Sequence, residues 1–193
     1  MARAGLDEKK VIEKAAELAN QIGMSNVTMK TLAEYLGIKT PSLYNHVKSQ
    51  DDLYEKIMIY GWQQISDRIM DSSEKLHGND ALRTFAREFF QYTLKNKGIF
   101  EAMMWYNKYS SPELEKATEK IYTVFFSITD ELGIPLETAN HLLRTYRAFL
   151  QGFAALVIHD SFGNPISIQE SFEISLNVLL KGIEQYYKTV SLP

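Results

Sequence analysis

Between Asp7 and Leu53 the apolar positions fall at helical spacing in short blocks, separated by glycines and by a threonine–proline step. Val11, Ile12, Ala15, Ala16, Leu18, Ala19 and Ile22 line one face of a first helix that Gly23 closes. Asp7 and Glu8 stand at its start, where negative charge complements the helix dipole. Thr28 is placed as the N-cap of a second, short helix that carries Leu32, Ala33 and Leu36 and stops at Gly37. Thr40 precedes a proline, which pushes it to the extended angles an N-cap requires. Pro41 then takes the first helical position, where a missing N–H costs nothing. Leu43 and Val47, four apart, give this third helix its buried side. Two short helices joined through Gly37, Ile38 and Lys39, with the small Ala33 at their crossing, make a helix-turn-helix pattern.

Ser49 and Asp52 form a capping box for a long fourth helix, which Leu53, Ile57, Tyr60, Gln64 or Ile65, and Ile69 continue to about Ser72. The pattern then predicts helices over about 79–97, 99–107, 112–132, 137–160 and 167–189. Gly98, the Ser110–Pro112 turn, Gly133–Pro135 and the segment Ser161–Pro165 end them in turn. No convincing strand, repeat or low-complexity segment is visible. The expected fold is all-α, with a three-helix helix-turn-helix head over residues 1–49 and a six-helix body over residues 50–193.

Composition narrows the possible chemistry. With 45% hydrophobic residues there is ample material for a core, and no cysteine means no disulfide, thiolate metal site or cysteine nucleophile. No apolar run follows a basic start, so no signal peptide is expected. The most apolar stretch, Phe149–Ile158, falls short of the roughly 18 residues a membrane span needs and carries Gln151. A cytoplasmic protein is expected. The net charge of −3 argues against nucleic acid, but residues 1–50 hold seven basic against five acidic side chains, a mildly basic head on an acidic body.

That head has a surface suited to DNA. With Leu43 and Val47 inward, Pro41, Ser42 and Asn45 face out, and Tyr44 and His46 fall on the flanks. The outward set is small and polar enough to enter a major groove and meet base edges. Tyr44, His46 and Lys48 are placed to reach phosphates on either side. An ordinary solvated helix face has the same composition, and pattern alone leaves both readings open.

The stretch Thr28–Ile57, and within it the frame LAEYLGI…SLYNHVKSQDDL, resembles the DNA-binding head of the TetR family of bacterial transcriptional regulators. With the first helix the resemblance covers about residues 7–70. It implies a helix-turn-helix DNA-binding domain followed by a helical ligand-binding and dimerisation domain, acting as a ligand-responsive regulator. By the same resemblance Lys30, Thr40, Pro41, Ser42 and Asn45 match positions near bases, and Thr28, Tyr44, His46 and Lys48 match positions near phosphates. Position 45 varies in the family, so the operator sequence does not carry over. The last two helices are faintly similar to a C-terminal subgroup named for a Trp-His-Gly motif. Gly152 is kept, while Gln151 replaces the histidine and Arg147 the tryptophan.

Most of the body's aromatic residues are needed as core. The segment Phe100–Tyr109 is nevertheless rich in methionine and aromatics, which suits a pocket between helices. Trp62, Met103, Trp105, Tyr106, Phe126, Tyr146, Arg147 and Gln151 are the candidate ligand residues, for a small, largely apolar molecule. The helices over residues 137–189 are apolar on more than one face, and Ala148, Gly152 and Ala155 form a strip of small residues, so a homodimer through them is expected. The expected partners are therefore a near-palindromic operator, a second copy and an unidentified ligand, with no cofactor, metal or membrane. His46, His77, His141 and His159 form no metal-binding pair, and no nucleophile or phosphate-loop motif occurs, so no enzyme is expected. The alternatives are an architectural DNA-binder without an effector and a helical enzyme.

Overall fold

The computed structural model describes residues 6–190. Among them the chain forms α1 (Glu8–Ile22), α2 (Met29–Leu36), α3 (Thr40–Leu43), α4 (Gln50–Ser73), α5 (Gly78–Lys95), α6 (Lys97–Met103), α7 (Pro112–Glu131), α8 (Leu136–Ile158) and α9 (Ile168–Val190), with 3₁₀ turns at Met24–Asn26 and Tyr106–Lys108. No strand occurs among the described residues, and the all-α expectation holds. None of their helices is long and apolar enough to cross a membrane.

The chain groups into two compact units. One comprises the chain to Ser66 with Lys95–Thr118, the other Asp67–Leu94 with the chain from Glu119 onward. The first unit thus extends past the three-helix head to take in most of α4, α6 and the start of α7.

In the first unit α1 buries Val11, Ile12, Ala15, Ala16, Leu18 and Ala19, as its periodicity requires, with Asp7 capping Lys10 N. Gly98 was expected to end a helix and instead lies inside α6. A Cβ on it would stand 2.0 Å from the Ala19 carbonyl oxygen, so the backbones of α1 and α6 touch there. The crossing is fastened by Asn20, whose Oδ1 accepts from Gly98 N at 3.1 Å and Ile99 N at 3.2 Å, while its Nδ2 donates to Asn96 Oδ1 at 3.0 Å. Met24 N adds a bond to Glu101 Oε2 at 3.0 Å. α6 also ends earlier than expected, at Met103, because the chain bends to turn Trp105 onto Tyr54 and Tyr106 onto Trp62.

In the second unit α5, α7, α8 and α9 close on an aromatic core. Phe90 stacks on Phe172 at 4.0 Å, and Tyr146 meets Phe85 and Phe125, each at 5.5 Å. Arg87 holds Glu173 through paired bonds of 2.8 Å, linking α5 to α9 and holding the Glu173 carboxyl below its ordinary range. One side of this unit stays uncovered. Ala148, Gly152 and Leu156 on α8, and Ile174, Val178, Gly182 and Tyr186 on α9, recur every four residues and are exposed. Val178 is 68% exposed and Ile174 57%.

The α1–α6 crossing makes a direct prediction. Gly98→Ala should lower unfolding stability by about 1–3 kcal/mol or more, since backbone rather than a flexible side chain must give way. At a typical few degrees per kcal/mol for a chain of this size, thermal denaturation should start at least several degrees lower. An unchanged midpoint would contradict the close approach.

Candidate nucleic-acid interface and ligand region

The turn ahead of α3 is built by Gly37, in the left-handed region at φ 66°. Thr28 caps α2 as expected, in a reciprocal capping box with Thr31. α3 itself differs from expectation. Lys39 is its extended N-cap, Thr40 is the first helical residue and Pro41 the second. A proline in the first turn loses only an amide that has no helical partner, so either position serves it. The helix has four residues, and the chain goes on through tighter turns, with Asn45 N bonding to Ser42 O and His46 N to Leu43 O. The shortening does not reverse the faces. Leu43 and Val47 are buried at 0% and 1% exposure, which leaves Pro41, Ser42, Tyr44 and Asn45 exposed and Thr40 and His46 half-buried.

These side chains can do what a major-groove surface requires. Asn45 offers a donor and an acceptor to base edges, and Ser42 a hydroxyl that serves as either. Tyr44 and Lys48 are exposed beside them. Lys30, on α2, lies 4.0 Å from Glu34 in an exposed pair, a contact weak enough to be exchanged for an acceptor on a base edge. Thr28 differs, because its hydroxyl is already engaged by Thr31 N at 3.0 Å.

Three residues that hold this surface in place escaped the sequence reading. Gln50 Oε1 accepts from Met29 N at 2.9 Å, and its Nε2 donates to Val27 O at 2.8 Å. Tyr54, one turn later, donates its hydroxyl to Val27 O at 2.9 Å. The start of α4 thereby grips the entry to α2. Lys56 Nζ lies 2.8 Å from Glu8 and 3.7 Å from Asp52, and donates to His46 O at 3.4 Å. The spacing of Gln50 and Tyr54 at i and i+4 was the available signal. The capping box of α4 is also modified: Ser49 accepts from Asp52 N, but the Asp52 carboxylate reaches Lys48 N at 2.6 Å.

The candidate ligand residues divide between the units. Trp62, Met103, Trp105 and Tyr106 lie in the first. Trp62 and Met103 are buried at 3% and 1% exposure, and Tyr106 meets the Trp62 ring edge-on at 6.1 Å. Trp105 packs edge-on to Tyr54 at 5.4 Å. Gly61 makes room for α6, since a Cβ there would sit 2.5 Å from Ile99. The indole Nε1 of Trp62 is buried without a hydrogen-bond partner, which costs about 1–3 kcal/mol. Phe126, Tyr146, Arg147 and Gln151 lie in the second unit. Tyr146 is fully enclosed and donates to Leu82 O, so its hydroxyl is already engaged, and burial pushes its ionisation far up. Arg147 donates to the Tyr122 hydroxyl at 3.3 Å. Phe126 meets Phe125 edge-on, and Phe126 and Gln151 are half-buried.

Residues 11–57 match the family model described as bacterial regulatory proteins, tetR family, and residues 82–179 match the tetracyclin repressor-like C-terminal domain. The chain belongs to the TetR family. It is a DNA-binding, helix-turn-helix transcriptional regulator of the ligand-responsive repressor type. It is 28% identical over 182 residues to the Bacillus subtilis (strain 168) "Uncharacterized HTH-type transcriptional regulator YobS", covering 94% of each chain. Against the Escherichia coli tetracycline repressor protein class D the identity is 39% over 56 residues, 29% of this chain and 26% of the relative. The fold is shared with a single-substitution variant of TetR from Acinetobacter baumannii AYE in complex with minocycline, at TM-score 0.69 and 19% identity over 95% of this chain and 99% of that one.

If Gln50 positions α2, Gln50→Ala should cost about 1–2 kcal/mol of stability by leaving Met29 N unmet. It should weaken binding to every DNA sequence without changing the salt dependence, because no phosphate contact is removed. Titrations of the variant at several salt concentrations read both quantities, and a reduced salt slope would assign Gln50 to the phosphates instead.

Proposed function

We propose that this TetR-family protein is a cytoplasmic repressor that holds a near-palindromic operator as a homodimer and releases it when a small, largely apolar molecule binds its body. The observation that carries the DNA half is the exposed set Pro41, Ser42 and Asn45 beside Tyr44 and Lys48, presented by a buried pair, Leu43 and Val47. Pro41, Ser42 and Asn45, with Lys30 and Thr40, meet bases, while Thr28, Tyr44, His46 and Lys48 lie along the phosphates. In this assignment residues 1–49 form the DNA-binding domain and 50–193 the ligand-binding and dimerisation domain.

A second copy covers the uncovered stripes of α8 and α9, within residues of about 137–189. A four-helix interface of this kind buries Leu156, Ile174 and Val178, which a lone chain leaves in water. The tetracycline repressor and the minocycline complex among the similar proteins support a small-molecule effector. Trp62, Met103, Trp105 and Tyr106 in the first unit remain a proposed region for it, and Phe126, Tyr146, Arg147 and Gln151 in the second unit a separate candidate set. α4, with 24 residues, is about 36 Å long. Two recognition segments must stand about 34 Å apart to enter successive major grooves. A tilt of α4 that shifts them by a few ångströms misplaces one, and the ligand and the operator then weaken each other by the same factor.

Selection from a random DNA library should return a near-palindromic site. Lys48→Ala should weaken binding to that site and to unrelated DNA alike, with a salt slope lower by about one, whereas Asn45→Ala should relax the preference at one base position in each half. Enrichment of no two-fold site would overturn the operator reading.

The dimer has a separate test. A Cβ at Gly152 would meet nothing within 4 Å in the single chain, so Gly152→Arg, whose longer side chain can extend outward from this exposed face, should leave the fold intact and separate the copies. Sedimentation of a micromolar sample should show a dimer for the wild type and a monomer for the variant. A variant that stays dimeric would place the interface elsewhere.

A further inference from the structure

Trp62 packs against the short turn after α6 and keeps a buried donor without a partner. The indole is 3% exposed, edge-on to Tyr106 at 6.1 Å, and Gly61 beside it is pressed against Ile99 and Met103. Its Nε1–H is buried and meets no acceptor. Two polar groups on the same helix are already engaged. Ser66 Oγ lies 2.6 Å from Trp62 O and 3.1 Å from Ala117 O, and the Tyr54 hydroxyl donates to Val27 O. The wall beside Trp62 is the single 3₁₀ turn Tyr106–Lys108, preceded by the exposed Met104. It is followed by Tyr109, whose buried hydroxyl also lacks a partner. Native structures rarely leave such groups unmet, and a one-turn wall flanked by two of them is easier to displace than the helices around it.

We propose that the effector displaces the Tyr106–Lys108 turn and sets a hydrogen-bond acceptor against Trp62 Nε1, so that its class is a flat, uncharged aromatic molecule with a carbonyl or ether oxygen on its edge. The indole N–H only donates, so the ligand must accept. Met103 and the aromatic rings supply adaptable apolar walls. Burial disfavours a charged ligand atom that finds no counter-charge. The proposal rests on the ligand-responsive reading above and adds the feature by which the ligand is selected.

The paired probes 9-fluorenone and fluorene share one ring system and differ by the carbonyl oxygen. The chain has two tryptophans, so its indole ¹H–¹⁵N resonances are assigned with a single Trp105→Phe variant. Fluorenone should move the Trp62 resonance downfield and bind about tenfold tighter than fluorene, about 1.4 kcal/mol. Trp62→Phe, which keeps an apolar ring and loses the donor, should remove most of that preference. Tyr106→Ala should speed fluorenone association by opening the wall. Equal affinity for the two probes, a preference that survives Trp62→Phe, an unchanged association rate in Tyr106→Ala, or no movement of the Trp62 resonance up to the solubility limit would each overturn the proposal. Operator affinity measured alongside separates the two readings. Fluorenone that engages Trp62 but leaves operator affinity unchanged supports the site and sinks the release mechanism.

Discussion

The backbones of α1 and α6 touch at Gly98 and Ala19, and the first unit is organised around that contact. Because no side chain separates the two helices there, Asn20 can bond two consecutive amides of α6 at once. α1 is therefore tied to α6, while α2 hangs from α4 through Gln50 and Tyr54, and Lys56 ties the end of the α3 turn to both α1 and α4. The helix-turn-helix is not an independent module resting on a stalk. Hydrogen bonds from α4 hold the entry to α2, and Lys56 on α4 reaches the end of the α3 turn.

Features decided within a few residues were legible in the sequence. Thr28, Gly37 and the inward pair Leu43 and Val47 behave as expected because capping, left-handed turns and helical spacing depend on near neighbours. The length of α3 was not legible, since a spacing of four satisfies both a helix and a pair of tighter turns. Gly98 shows the harder limit. A missing Cβ serves a helix end and a close crossing equally well, and only the distant Ala19 backbone distinguishes them. The same holds for Gln50, whose amide looks like an ordinary solvated group until Val27 and Met29 are brought to it. Among the candidate ligand residues, chemical type was readable and availability was not. Tyr146 has its hydroxyl engaged by Leu82 O, whereas Trp62 keeps its donor free in a buried site.

The two units treat their polar groups differently. In the second, several groups are paired across helices: Tyr146 with Leu82, Arg87 with Glu173, Arg147 with Tyr122. Its exposed liability is apolar, the four-spaced stripes of α8 and α9, which favour a permanent partner. In the first unit the liability is polar and internal, at Trp62 and Tyr109. Association with a second copy suits an oily face. A reversible response suits a unit that holds a few unmet groups behind a short turn.

An α3 of four residues also limits how much sequence one chain can inspect. So short an element brings few side chains to base edges, and each correct base pair contributes only about 1–3 kcal/mol of discrimination. A single copy would be lost among the roughly millions of competing positions in a bacterial genome. In the proposed dimer, two copies at fixed spacing multiply their selectivities, so the address is written jointly by two weak readers and by the distance between them. Loosening that distance erases the address even when every base contact remains available.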